Sequence, residues 1–163
     1  MIEVGDTAPD FTLPKAGGDA YNDVEPFTLS DALENGPVVL VFVPAAFTSA
    51  CTEQLCTLRD SMTRFNDLDA AVYGLSVDLP FSQNTWIREQ NLNFPMLSDW
   101  DHEVIHAYDA VLDDLYGSIE AARRTTFVVD TDGTVVFRRD YETSDPDVDV
   151  AEIEDAIAAA RAQ

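Results

Sequence analysis

The chain holds two cysteines, Cys51 and Cys56, and both fall within the thirteen residues PAAFTSACTEQLC at 44–56. Cys51 follows the apolar run 37–47 and opens a helical pattern, which places it at the start of a helix. Free backbone N–H groups and the positive end of the helix dipole lie there, and both favour a thiolate. Thiols in such settings titrate at about 3.5–7.5 rather than about 8.5, and the thiolate is the nucleophilic form. Thr48, three residues earlier, can turn its hydroxyl toward the same point, and Pro44 can shield the sulfur from bulk water. Cys56 is a different case. On one regular helix, a step of five residues turns about 140° and rises about 7.5 Å, so the Cα atoms lie about 8.7 Å apart. A disulfide spans less than about 7 Å. Either Cys56 is a plain buried thiol, as free cysteines often are, or the first helical turn unwinds before the two sulfurs meet.

A second constellation is HEVIH at 102–106, a match to the zinc-protease pattern H-E-x-x-H. On a helix, His102 and His106 would share a face, with Glu103 as a base. The chain has only these 2 histidines, so a third ligand would have to be a carboxylate. With 31 acidic residues, so short a match arises readily by chance. A mixed site of Cys51, Cys56 and both histidines is a further metal reading. The expectation is no metal and no cofactor. Phosphate-cradling glycine loops are absent, and 130–133 lacks the ligand ladder of a calcium loop.

The elements that must position these residues follow from apolar period. FTLP at 11–14 and FTLSDAL at 27–33 read as two extended pieces around a turn with Gly17 and Gly18. Ser30 is a candidate cap for a short helix ending at Gly36. PVVLVFVP at 37–44 predicts a strand buried on both faces. Leu55, Leu58, Met62 and Phe65 form one apolar stripe on a helix over 50–65. A second buried strand is predicted over 71–78, a helix over 82–91 with Trp86 inward, an extended piece over 94–99, and a helix through Val104 and Tyr108. TTFVVDTDGTVVFRRD at 125–140 is a hairpin with Asp132 and Gly133 in its turn. Val150, Ile153, Ile157 and Ala160 mark a C-terminal amphipathic helix, with Asp147 and Asp149 at its positive end. This order predicts a single α/β domain over 1–163, with a mixed sheet and helices on both faces. Ligands of such sheets meet the carboxyl ends of the strands, and Cys51 follows one of those ends.

Composition excludes several function classes. The net charge is −22, from 31 acidic and 9 basic residues, and Lys15 is the one lysine. Phosphate backbones need clustered Lys or Arg, so no nucleic-acid partner is expected, and an anionic membrane would repel the chain. No apolar run approaches the roughly 20 residues of a spanning helix. The start, MIEVGDTAPD, has neither a basic patch nor an apolar segment, so the expected location is the cytoplasm. Paired cysteines there are more often catalytic or metal-binding than structural. One reading is that the acids simply keep the protein soluble. Their spread along the whole chain favours the other, adaptation to a high-salt cytosol, where screening shortens to about 3 Å at 1 M.

Pro44, Thr48 and Cys51 spell P-x-x-x-T-x-x-C, the signature of peroxiredoxins. APDFTLP (8–14), FTLSD (27–31), GLSVD (74–78), FPMLSD (94–99) and RTTFVVDTDG (124–133) resemble the same family in the same order. The stretch VFVPAAFTSACTEQLCTLRD is similar to the bacterioferritin-comigratory-protein (Q-type) and alkyl hydroperoxide reductase E-type branches. The resemblance implies a thioredoxin-like fold, with a central mixed sheet, flanking helices and an N-terminal β-hairpin extension. It implies a thiol-dependent peroxidase acting on hydrogen peroxide and small organic hydroperoxides, recycled by a thioredoxin-like dithiol, and monomeric or homodimeric. Cys51 would be the peroxidatic cysteine, Thr48 would hydrogen-bond the thiolate and the peroxide, and Pro44 would shield the site. Arg124, in R-x-T-F spacing, would stabilise the thiolate, while strand alternation would turn Arg123 away. Cys56 stands where the Q-type branch carries a resolving thiol, and unwinding would then be part of the cycle. Gln54 stands where glutamate is frequent, so a hydrogen bond to the site's arginine would be neutral rather than ionic, and Ser49 replaces a frequent proline. The rival readings are a thioredoxin-like disulfide oxidoreductase, which would want C-x-x-C rather than C-x₄-C, and a redox-sensing binding module without peroxidase turnover.

Overall fold

The computed structural model of the chain describes residues 2–142 and 149–161. The apolar runs become strands, as their β-branched content requires. They are β1 (Thr12–Ala16), β2 (Val24–Thr28), β3 (Val38–Phe42), β4 (Ala71–Ser76), β5 (Met96–Ser98), β6 (Val111–Leu115), β7 (Ile119–Ala122), β8 (Thr125–Val129) and β9 (Val135–Asp140). The helices are α1 (Leu29–Ala32), α2 (Ser49–Asp60), α3 (Met62–Asp67), α4 (Pro80–Gln90), α5 (Glu103–Ala107) and α6 (Val150–Arg161). Seven strands form one mixed sheet in the order β2-β1-β5-β4-β3-β8-β9, while β6 and β7 pair separately. The central β5, β4 and β3 are parallel, joined by helical crossovers, and the outer pairs are antiparallel. This is the expected α/β architecture, with the β1–β2 hairpin as an N-terminal extension along one edge.

Period-2 alternation in β3 divides the core. Val39, Val41 and Val43 join Leu55, Leu58, Phe65, Trp86, Ile153 and Ile157 on one face. Val38, Leu40 and Phe42 join Phe127, Leu29, Ile105 and Tyr108 on the other. Helices therefore cover both faces, and β3 is fully buried.

Several local expectations change. The helix expected over 50–65 is two helices broken at Ser61, whose hydroxyl donates back to the Thr57 carbonyl at 2.9 Å. Such back-bonding competes with the backbone ladder and bends helices, yet the apolar stripe runs through both pieces. Ser30 does not cap α1. Thr28 is the N-cap, and Ser30 instead gives both its N–H and its hydroxyl to the Asp10 carboxylate at 2.9 Å. The helix expected over 82–91 starts earlier, with Pro80 in its first turn, where a missing N–H costs nothing. The β6–β7 hairpin has no counterpart in the sequence reading. Its turn places Tyr116 and Gly117 at positive φ, an unusual duty for a tyrosine. Asp147, expected at the start of α6, lies outside the described residues. No described helix is long and apolar enough to cross a membrane.

Candidate active site

Strand register explains how the site assembles. In the antiparallel β3–β8 pair, Phe42 lies opposite Thr125. The chain leaving the carboxyl end of β3 thus runs beside the residue that enters β8. The first leads through Pro44 and Thr48 to Cys51, and the second is Arg124.

Cys51 is the third residue of α2 and is fully buried. Arg124 is also buried, at 2% exposure. Its Nη2 donates to Cys51 Sγ at 3.2 Å, and its Nη1 donates to Gln54 Oε1 at 2.5 Å. One guanidinium thus spans two residues a helical turn apart, using the fixed fork that lysine lacks. The Arg124 carbonyl accepts the Tyr141 N–H at 2.8 Å, which ties its backbone to the end of β9. Arg123 is exposed, with Nη1 3.9 Å from the Asp140 carboxylate, so only one of the adjacent arginines faces the sulfur.

Thr48 is the N-cap of α2, and its carbonyl accepts the Thr52 N–H at 2.9 Å. Its hydroxyl donates to the Ala45 carbonyl at 2.9 Å. With that proton committed, the hydroxyl oxygen has only acceptor capacity left. Pro44 is buried at the exit of β3. The loop between them is braced from outside the signature. Asp78 accepts the Ala46 N–H and the Ser76 hydroxyl, each at 2.8 Å. Phe47 sits at φ 66°, which is strained for a bulky residue, with its ring 6.1 Å from the Trp86 ring.

A scan against family models matches residues 4–138 to the AhpC/TSA family. The chain belongs to this family.

A putative peroxiredoxin of Mycobacterium tuberculosis is 42% identical over 134 residues, covering 81% of each chain. Alkyl hydroperoxide reductase E of the same species is 36% identical over 138 residues, covering 84% of each. Among solved structures, the peroxidoxin BcpB from M. tuberculosis superimposes with a TM-score of 0.80 at 32% identity, covering 99% of this chain and 98% of that one. AhpC/TSA membership with these relatives makes the chain a peroxiredoxin with a thioredoxin-like fold, an enzyme that reduces peroxides through a thiol.

In this AhpC/TSA enzyme, four of the five residues singled out from sequence gather at one end of the sheet: Pro44, Thr48, Cys51 and Arg124. Cys56 does not join them. It lies on the same unbroken α2, partly buried, and its thiol faces Gln90 Oε1 on α4 at 3.7 Å. Both cysteines are free thiols. Gln54, expected to give the site's arginine a neutral rather than an ionic hydrogen bond, makes that contact. Its neutral amide oxygen fills the role of an acceptor. Asp78 and Phe47 were not singled out. Asp78 could have been found through GLSVD, since an acid two residues past a buried strand is placed to accept loop N–H groups.

The histidines lie elsewhere. His102 is the N-cap of the five-residue α5 at φ 63°, so the H-E-x-x-H pattern does not sit on one regular helix. His102 Nδ1 and His106 Nε2 approach the same oxygen of Glu120 on β7, at 2.8 and 2.9 Å. These hydrogen bonds, first from His102 and then from His106, hold the Glu120 carboxyl below its ordinary range. Among the described residues, no group of three His, Cys, Asp or Glu side chains is disposed to hold a metal ion.

Proposed function

We propose that Cys51 is the peroxidatic cysteine of this thiol peroxidase, that Arg124, Thr48 and Pro44 serve it, and that Cys56 resolves it. The observation that carries the reading is the Arg124 guanidinium, which contacts a sulfur 73 residues away at 3.2 Å inside a buried site. Positive charge in a water-poor setting stabilises a negative sulfur and the oxygen anion that leaves it. The Cys51 thiolate attacks one peroxide oxygen, the O–O bond breaks, and the sulfur becomes a sulfenic acid. The departing oxygen takes a proton and leaves as water or as an alcohol. Thr48, its own proton given to Ala45, accepts the peroxide O–H and so orients the substrate, a refinement of the expected bond to the thiolate. Pro44 closes the water side. Hydrogen peroxide and small organic hydroperoxides are the substrates.

The Cys56 sulfur then attacks the Cys51 sulfur, the S–O bond breaks, and water leaves. The intact α2 holds the two Cα atoms at about 8.7 Å, so its first turn unwinds for this step. A thioredoxin-like dithiol returns two electrons and two protons and restores both thiols. A simple disulfide reductase is disfavoured because C-x₄-C on one helix keeps the sulfurs apart at rest. A binding module would have no use for a buried arginine on a buried thiol.

Intact mass after one equivalent of peroxide in high salt, with free thiols then alkylated, tests both assignments. Loss of two hydrogens with no alkylation is the expected result. One added oxygen at Cys51 with Cys56 still alkylated would transfer the second step to an outside thiol. An unchanged mass with two alkylated thiols would overturn the role of Cys51.

A further inference from the structure

Helices α2 and α4 run parallel on the same face of the sheet and touch at a constant offset. The Trp86 Nε1–H donates to the Thr52 hydroxyl at 3.1 Å, 34 residues away. The Cys56 thiol donates to Gln90 Oε1 at 3.7 Å, again 34 residues away. The Asn93 amide donates to the Arg59 carbonyl at 3.2 Å, at the same separation. Arg59 adds a fourth contact, since its Nη1 donates to the Gln90 backbone carbonyl at 2.5 Å. That carbonyl belongs to the last residue of α4, where the helix dipole is negative and carbonyls lack helical partners. The attachment is therefore unequal along α2. The turn carrying Cys51 is held to α4 by one neutral hydrogen bond, its other side-chain tie being the Arg124 fork on Cys51 and Gln54, which lies outside α4. The turn carrying Cys56 is held by an amide, a thiol and a charged fork.

We propose that Arg59 is a positioning residue for the resolving step, pinning the Cys56 turn of α2 to the end of α4 so that unwinding is confined to the turn carrying Cys51. The proposal rests on Cys56 being the resolving thiol. Its physical content is an effective concentration. Cys51 must leave Arg124 and swing about 140° around the helix to reach a sulfur on the other side. If Cys56 stays fixed, only one partner searches, and the condensation that expels water from the sulfenic acid is fast. If the Cys56 turn also frays, both partners search, and the effective concentration falls. A sulfenic acid that waits is exposed to a second peroxide and to sulfinic acid formation.

Rapid quench of the reduced full chain with peroxide, followed by alkylation and intact mass, separates the two steps. Arg59→Met keeps the apolar stem and removes the fork. It is expected to oxidise Cys51 within about twofold of the parent rate, yet to close the disulfide about tenfold more slowly, as for a lost hydrogen bond to a charged group. Sulfinic acid should accumulate at lower peroxide. Arg59→Lys should restore part of the closure rate, and Asn93→Ala should slow closure to a lesser degree. A purely structural role would slow both steps or neither, so closure within about twofold of the parent in folded Arg59→Met overturns the proposal. Should Arg59→Met lose its native circular dichroism, Asn93→Ala carries the test, and closure at the parent rate in that variant overturns the proposal. A parent that forms no disulfide, run beside Cys56→Ser, overturns the resolving role of Cys56 without reference to any Arg59 variant.

Discussion

Arg124 and Thr48 show how much of this site depends on the direction of single hydrogen bonds. The Arg124 fork reaches Cys51 Sγ with one nitrogen and Gln54 Oε1 with another. Arg124→Lys keeps the charge and loses the geometry. It should lower kcat/KM for peroxide by about 10²- to 10³-fold, the scale seen when one preorganised donor is removed, in a steady-state assay with a dithiol donor. Thr48→Val removes the acceptor while keeping the shape, and a loss of the same order is expected by the same assay. Thr48→Ser restores a hydroxyl within reach of the Ala45 carbonyl and should recover most of the rate. Equal activity in Thr48→Val and the parent would show that the substrate is oriented without that oxygen. Gln54 props the arginine, since the guanidinium has only donors and the amide oxygen is what it meets.

At the scale of elements, the hairpin β6–β7 is the part of the chain that feeds Arg124. Glu120 on β7 ties it to α5 through His102 and His106. The Glu120 carboxyl titrates below its ordinary range because of those two hydrogen bonds. A folded-state value below the unfolded one contributes stability that is fully present above the unfolded carboxyl range. That contribution is lost as the pH falls through the folded value. Thermal melts between about pH 6 and about pH 3 should therefore show a shallower acid decline in Glu120→Gln than in the parent. Parallel declines would mean that the carboxylate contributes nothing in acid. The broken α2–α3 helix makes a related point. Ser61 divides the helix, yet Leu58, Met62 and Phe65 remain buried, since the stripe is held by contact with the sheet rather than by an unbroken backbone.

At the scale of the whole molecule, the charge of −22 dominates. The basic residues are largely spent on local pairs: Arg59 with Asp60, Arg64 with Glu154, Arg138 with Asp140, and Arg139 with Asp149 and Glu152. What remains is an acidic surface that repels itself. The screening length falls from about 10 Å at 0.1 M salt to about 3 Å at 1 M, so the melting temperature should rise between these conditions. Calorimetry in sodium or potassium chloride checks this, and a flat or falling melting temperature would remove the case for adaptation to high salt. Chloride salts are the right probe, because sulfate would also strengthen apolar burial.

The sequence by itself determined the chemistry and most of the frame. Two thiols, a P-x-x-x-T-x-x-C stretch and an R-x-T-F stretch named the candidate residues, because catalysis constrains residue type and spacing over short distances. The runs around Val39, Val72 and Val128 gave the central strands, because burial on both faces demands unbroken apolar sequence. Hairpin β6–β7 escaped notice, since its pattern is half polar and its turn uses Tyr116 at positive φ. The tertiary structure decided what is joined across long separations. Arg124 meets Cys51 because Phe42 and Thr125 are in register. Asp78 braces the loop before α2, Glu120 gathers both histidines, and α4 grips the far end of α2. Each of these contacts links residues that share no local pattern, and only packing of the elements, which is set by the core as a whole, brings them within hydrogen-bond reach.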